Sequence, residues 1–352
     1  GLEYRGADLN GFFAQRRNLI NPRFYRLLAD ILRFNRQSVQ LLESEEDQLT
    51  VGEYLKANEY SQEFIEQYFL PMGSAIWSCP VGTFEKFPVR FIVEFYLNHG
   101  ILAIRDRPEW RVICGGSTQY VKELTAGFTK SIRVNSPVNS VLRNENQVDV
   151  TLQDGSLEQF DHVIFACHSD QALRILGNQA SPIEQELLSA FPYEKNIAQL
   201  HTDTSVLPVS RRAWACWNYF MPRGENRKAT VTYQMNLLQG IHSKHVFCVT
   251  LNGQDRVDPT KVIREIEYAH PVFTSERAAA QQRQPAVINQ NSTSFCGAYW
   301  GNGFYEDGVN SAMAVCRELL GVTDLWKVVS TRAGFNTDAM LPSSTAFAIE
   351  SS

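Results

Sequence analysis

The stretch Ser294-Phe-Cys-Gly297-Ala-Tyr-Trp-Gly301-Asn-Gly303-Phe-Tyr-Glu306-Asp307-Gly308 is followed by an apolar periodicity through Val309, Met313, Val315 and Leu319–Leu320, and it decides the fold class. It reads as a buried strand from Phe295, a glycine-rich loop, and a helix that opens at Glu306-Asp307-Gly308 and stops at Gly321. Glycines at 297, 301 and 303 let the backbone come close to a flat or phosphorylated ligand. The helix start offers N–H groups without intrahelical partners and about half a positive charge. Such a place suits an anion or the electron-rich edge of a ring. A strand–loop–helix turn that binds nothing is the plainer reading of the same residues.

Working back from there, Ser131–Asn135, Val138–Leu142 and Val148–Leu152 read as short strands, with Asp154-Gly155 as a hairpin turn. Val163-Ile-Phe-Ala-Cys167 is a continuous apolar run, the pattern of a strand buried on both faces. His168-Ser169-Asp170 and Ser181-Pro182-Ile183-Glu184 open helices. Strands are expected again over Ile197–His201, Ala213–Phe220, Ala229–Leu237 and Val246–Leu251, and Asp258-Pro259 is expected to open a helix through Val262, Ile263 and Ile266. The first hundred residues read as helical, with starts at Asn21-Pro22, Thr50-Val-Gly-Glu53 and Ser61, and a stop at His99-Gly100. Residues 322–352 are Ser/Thr-rich near the end and are expected to be a poorly ordered tail.

The composition excludes several classes. With 33 Lys+Arg against 38 Asp+Glu the net charge of the 352 residues is −5, and no long basic run marks a nucleic-acid binder. No run reaches the ~18–20 apolar residues of a membrane span, and no signal-peptide pattern opens the chain. Peripheral membrane contact stays open. The seven cysteines are widely spaced and mostly among apolar neighbours, as in Val-Ile-Phe-Ala-Cys167, which reads as reduced thiols of a cytoplasmic protein. His242 and His245 lack a nearby thiol or carboxylate, so no metal site is expected.

The terminal strand–glycine–helix unit and the block Ile132–Cys167, ending Asp161-His-Val-Ile-Phe-Ala-Cys167, together resemble the FAD-dependent amine-oxidase superfamily. The wording Phe295-Cys-Gly-Ala-Tyr-Trp-Gly-Asn-Gly-Phe-Tyr-Glu-Asp-Gly308 is most similar to its branch of predicted NAD/FAD-binding oxidoreductases. The resemblance runs from about residue 1 to Gly321. It implies an α/β fold: an incomplete FAD/NAD(P)-binding Rossmann-like domain and a substrate domain with helices and a mixed sheet. The implied division assigns 1–100 and 176–289 to the substrate domain, and 101–175 and 290–321 to the FAD-binding domain. The cofactor implied is FAD. Val138 would meet the adenine through its backbone, Cys167 would end the strand leading to the dinucleotide, and Gly297 with Ala298 would lie along the pyrophosphate-ribityl segment. Glu306, Asp307 and Gly308 would present backbone N–H groups to the ring, and Gly303 is a further cofactor-binding candidate. Ala298 stands where the family usually has an acidic residue, which puts one sugar or ribityl hydrogen bond in doubt. The sequence also contains no GxGxxG, the loop that ordinarily cradles the pyrophosphate. The chain is therefore expected to be a truncated family member that holds FAD about two to four decades more weakly than an intact one, at roughly 1.5–3 kcal/mol for each of two lost charge-assisted hydrogen bonds.

The resemblance also implies aromatic residues before the flavin. Phe304 follows Gly303, Tyr299 and Trp300 flank the same loop, and Trp217 and Tyr219 share one face of a strand. Phe304, Tyr299, Trp217 and Tyr219 are the candidate substrate residues, and His201 is a possible proton carrier. No nucleophile–base pair or carboxylate pair stands out, so the flavin would carry the hydride chemistry. An amine and a lipid or polyene both fit as substrate. The alternative is a fragment that binds no flavin and catalyses nothing.

Overall fold

The computed structural model describes residues 1–6, 8–43, 49–77, 79–103, 111–145, 147–222 and 229–322, so the expected tail lies outside the described residues except for Val322. The described strands are β1 (Val138–Arg143), β2 (Val148–Leu152), β3 (Leu157–Phe160), β4 (Val163–Phe165), β5 (Tyr193–His201), β6 (Trp217–Phe220), β7 (Thr230–Gln234), β8 (Cys248–Leu251), β9 (Val262–Pro271) and β10 (Thr293–Phe295). The chain forms two units, and each is discontinuous: one takes Gly1–Val134 and Pro192–Ser275, the other Asn135–Phe191 and the chain from Glu276.

In the first unit, helices pack on an antiparallel sheet of order β6-β7-β8-β5-β9. The helix Pro22–Gln37 forms where expected: Asn21 accepts from the Arg23 N–H, Pro22 sits in the first turn, and Phe24, Leu27 and Phe34 face inward. Thr50 and Glu53 close a capping box on Val51–Ala57. Ser61 caps a turn that continues into a π-helical stretch, Ile65–Phe69, and then into Leu70–Ile76. The core of the helical part is aromatic, built around Phe34, Phe64, Phe69, Phe84, Trp77 and Tyr96. Ala75 reaches the sheet, packing with Ala198, Ala229, Val231 and Leu251. Small residues on both sides bring the helix close to the strands.

Two expectations fail in this unit. Asp258 does cap, accepting from the Thr260 N–H at 3.0 Å, but only for a single 3-10 turn. The residues after it form β9, paired with β5 from Val262↔His201 to Pro271↔Tyr193. Val262, Ile263 and Ile266 are β-branched, and the long β5 edge supplies a ladder that outweighs three apolar positions at near-helical spacing. Ser131–Asn135 is not a strand either. Residues 129–131 make a 3-10 turn, Val134 is exposed, and among the described residues 131–135 belong to no strand. Expected strands at Ala213–Phe220 and Ala229–Leu237 shrink to β6 and β7, with Met235–Gln239 turning helical.

The second unit holds the antiparallel meander β1-β2-β3 and the parallel pair β10-β4. Gly155 turns β2 into β3 at a φ of 86°, which favours glycine. β4 and β10 are 130 residues apart in sequence and lie in register from Thr293↔Val163 to Phe295↔Phe165. Phe165 and Phe295 stack with centroids 5.1 Å apart. The strand expected over Val163–Cys167 ends at Phe165, and Ile164 is 44% exposed, so β4 is not buried on both faces. β10 covers one of its edges. The capping box at Ser181 opens Pro182–Ser189, and Glu184 from that helix receives Arg143 of β1 in a buried ion pair at 2.5 Å. Arg143 also donates to Thr293 Oγ1 at 3.0 Å, tying β1, the helix and β10 together.

Candidate functional site

β10 runs out of the second unit's sheet into the glycine loop. The Cys296 N–H still donates to the Phe165 carbonyl at 2.9 Å, so the loop leaves the sheet at a fixed point. Gly297 follows, and its N–H donates to Ser311 Oγ at 2.8 Å. That hydroxyl in turn donates to the Gly308 carbonyl at 2.9 Å, fastening the loop's entry to the helix it leads into. A Cβ on Gly297 would come within 2.5 Å of Tyr299 Cε1. Ala298 accepts from the N–H groups of both Gly301 and Gly303, each at 3.1 Å. Gly303 has a φ of 90°, a value side chains resist.

The helix is Tyr305–Leu320, with Phe304 as its N-cap residue and Gly321 as its left-handed stop. Asp307 turns back to accept from the Phe304 N–H at 2.9 Å. Its carboxylate occupies the space that a side chain on Gly301 would fill, since a Cβ there would lie 2.5 Å from Asp307 Cγ. Gly308 differs: an added Cβ would meet no clash, resting in ordinary contact with the Ala298 nitrogen at 3.8 Å. Gly297, Ala298, Gly303, Glu306, Asp307 and Gly308 are thus one contiguous surface around a helix N-terminus.

Two residues without a motif hold this surface. Arg277, among the largest fully buried side chains, donates to the carbonyls of Tyr299 (3.3 Å) and Gly301. Gln281, one turn further on, donates to the same carbonyls at 2.9 and 2.6 Å. Arg277 also stands over the Phe191 ring at 5.8 Å. The only sequence signal is their four-residue spacing in Ser275-Glu-Arg277-Ala-Ala-Ala-Gln281-Gln, which puts both on one helix face.

The other candidates are placed as follows. Phe304 is 42% exposed at the helix start. Tyr299 is buried, packing on Phe191 at 5.0 Å and Trp300 at 5.2 Å, a packing position rather than an open one. Val138 begins β1, next to the register shift opposite β2. Cys167 is half-buried beyond β4, and burial pushes its thiol up.

Within the first unit, Trp217 and Tyr219 do share a face of β6, with ring centroids 5.9 Å apart and edge-on. The Tyr219 hydroxyl donates to the Gln67 carbonyl at 3.2 Å, and the Tyr4 hydroxyl donates to the same atom at 3.2 Å. Gln67 lies in the π-helical stretch, where the wider turn changes the usual backbone pairing. Burial pushes Tyr219 up to about 12, so it is a neutral donor at neutral pH. Tyr4 and Gln67 carry no sequence signal for this role. His201 is fully buried: its Nε2 meets Thr250 Oγ1 at 2.7 Å, and its Nδ1 accepts from the Asp203 N–H at 3.1 Å. Burial pulls it below its ordinary value, against the Asp203 charge. It is a neutral imidazole tied into the sheet.

The sequence model of the flavin containing amine oxidoreductase family matches residues 14–206, more than half of the chain, and the protein belongs to that family. Its fold is similar to that of a CLA-producing fatty acid isomerase from P. acnes, with a TM-score of 0.54 at 15% identity over 85% of this chain and 75% of that one. It is similar also to cyclohexylamine oxidase from Brevibacterium oxydans, with a TM-score of 0.52 at 12% identity over 85% and 76% of the chains. Putrescine oxidase bound to putrescine gives 0.55 at 11% identity over 86% and 76%. At such identities the likeness is one of fold. No curated protein matches the sequence.

Proposed function

We propose that the protein is an FAD-dependent oxidoreductase that removes a hydride from a C–N or C–C bond of a small molecule. The observation that carries this reading is the parallel β4–β10 pair, which delivers a hydrogen-bonded glycine loop to the N-terminus of a sixteen-residue helix. Membership of a flavin-containing family supports the cofactor. The residues fit a flat group with an electron-rich edge: the helix N-terminus supplies N–H donors, and Gly308 carries no side chain over the helix's first turn. In this reading Gly297, Ala298 and Gly303 pass the cofactor's backbone-facing side, Glu306–Gly308 face its ring, and Val138 and Cys167 border its nucleotide half. A flavin held there supplies the hydride acceptor.

What the chain's own residues contribute is position and exclusion of water. Arg277 and Gln281 fix the loop carbonyls, so the N–H groups are aimed before any ligand arrives. Trp217 and Tyr219 are the proposed substrate contacts of the first unit, with Tyr219 kept neutral and oriented by the Gln67 carbonyl. A neutral aromatic lining suits an amine as its free base and suits an apolar chain equally; amines and lipids are the two substrate classes to assay.

The test is a titration of the purified protein with FAD, read by quenching of flavin fluorescence and by the visible spectrum, followed by oxygen uptake with amine and unsaturated fatty-acid panels. Saturable binding that Gly308→Leu weakens at least tenfold is expected, because a leucine side chain would cover the first turn of the helix beside Ala298. Binding indifferent to Gly308→Leu, or no spectral change at FAD saturation, would overturn the assignment.

A further inference from the structure

We propose that residues 9–36 form a docking surface for a lipid bilayer with anionic headgroups. The chain as a whole carries −5, yet this segment holds six arginines (16, 17, 23, 26, 33 and 36) against one acid, Asp30. Asp30 is nearly buried and committed inward, accepting from the Ser61 N–H at 2.9 Å and pairing with Arg33 at 3.0 Å. Arg23 lies 3.8 Å from Glu63 and is itself largely exposed. Arg16 and Arg17 rest on backbone carbonyls, those of Phe13 at 2.9 Å and Gly1 at 2.8 Å, which orients their charge without cancelling it.

Amid this charge stand exposed apolar side chains. Ile20 is 86% exposed, Leu9 77% and Leu19 48%. Leu19 and Ile20 end the 3-10 turn Arg16–Ile20, and they are not a frayed edge. Asn18 is buried beneath them, Asn21 caps the following helix, and the Tyr25 hydroxyl donates to the Leu19 carbonyl at 2.9 Å. That helix gives Phe24, Leu27 and Phe34 to the core and leaves Arg23, Tyr25 and Arg26 exposed.

An exposed apolar pair, Leu19–Ile20, flanked in sequence by Arg16, Arg17, Arg23 and Arg26 is the composition of a surface that lies in the headgroup region. The pair reaches the acyl boundary, the guanidinium groups meet lipid phosphates, and Tyr25 sits at the level between them. The charge separates this partner from an ordinary protein patch: each basic residue near an anionic bilayer adds about fivefold in affinity, and salt removes the effect. The inference stands apart from the flavin reading, since it uses none of the glycine-loop residues.

Co-sedimentation of the whole protein with vesicles tests it, using phosphatidylcholine alone and phosphatidylcholine mixed with phosphatidylglycerol, at low and high salt. Binding to the mixed vesicles that weakens with salt is expected. Arg23→Gln with Arg26→Gln should lower it by about 25-fold, two steps of the fivefold increment. Leu19→Ser with Ile20→Ser should lower it by at least tenfold, while far-UV circular dichroism stays unchanged because both side chains point outward. Three results would overturn the proposal: no binding to either vesicle, binding that survives the Leu19/Ile20 replacement, or self-association that this replacement abolishes. The last would assign the surface to a second copy of the chain.

Discussion

Replacing Arg277 by methionine removes a buried guanidinium that donates to the Tyr299 and Gly301 carbonyls, while Gln281 continues to donate to both. Hydrogen bonds from a charged donor are worth about 1.5–3 kcal/mol each. Two opposing effects reduce the loss: the guanidinium no longer has to be desolvated, and neither carbonyl is orphaned because Gln281 remains. A net local cost of about 1.5–3 kcal/mol is therefore expected rather than the full sum. Gln281→Leu alone should cost about 1 kcal/mol for the same reason, since Arg277 then serves both carbonyls. The double replacement leaves two buried carbonyls without these donors and should exceed the sum of the single changes by about 1–3 kcal/mol. Amide hydrogen exchange of a peptide spanning residues 296–308 reads this directly, because the Gly301 and Gly303 N–H groups are held on the Ala298 carbonyl. Arg277→Met should speed exchange in that peptide by about ten- to 150-fold, the conversion of 1.5–3 kcal/mol. Strictly additive effects in the double variant, or loop exchange unchanged with normal circular dichroism, would refute the clamp.

In Gly301→Ala, the new Cβ displaces the Asp307 carboxylate from the Phe304 N–H, costing about 0.5–2 kcal/mol in a thermal melt. Adding it to Asp307→Ala should cost much less, because the cap is already gone. Breaking the buried Arg143–Glu184 pair from one side, by Glu184→Gln or Arg143→Met, should cost about 3–5 kcal/mol in urea unfolding. A loss below 1 kcal/mol, the range of an exposed pair, would remove its role in joining β1 to the helix and β10. Burial holds His201 below its ordinary value of about 6.5, so the folded state prefers the neutral ring. Its contribution is complete above that ordinary value and declines as pH falls through and below it, by at most about 1.4 kcal/mol per pH unit. His201→Gln should flatten the stability profile between neutral and mildly acidic pH; an unchanged slope would show that other groups set it.

Local chemistry was legible in the sequence wherever a few adjacent residues settle it. The caps at Asn21, Thr50, Ser61 and Ser181 work as their side chains dictate, because a cap needs only its own helix's first turn. The strand–loop–helix from β10 to Gly321 was equally plain, since glycine spacing and apolar periodicity act over a few residues. Pairing partners were another matter. β9 looked like a helix until the β5 edge was there to bind it, and Ser131–Asn135 looked like a strand although none of the described strands includes it. Backbone hydrogen bonds between strands depend on which distant segment arrives alongside, which short-range periodicity does not encode. The same reason hid Arg277 and Gln281. Nothing in the run Ser275–Gln282 announces that Arg277 and Gln281 will meet carbonyls some twenty positions later. The glycines determine where the loop is able to go; the tertiary fold decides what holds it there, because a buried carbonyl must find a donor wherever packing has put it.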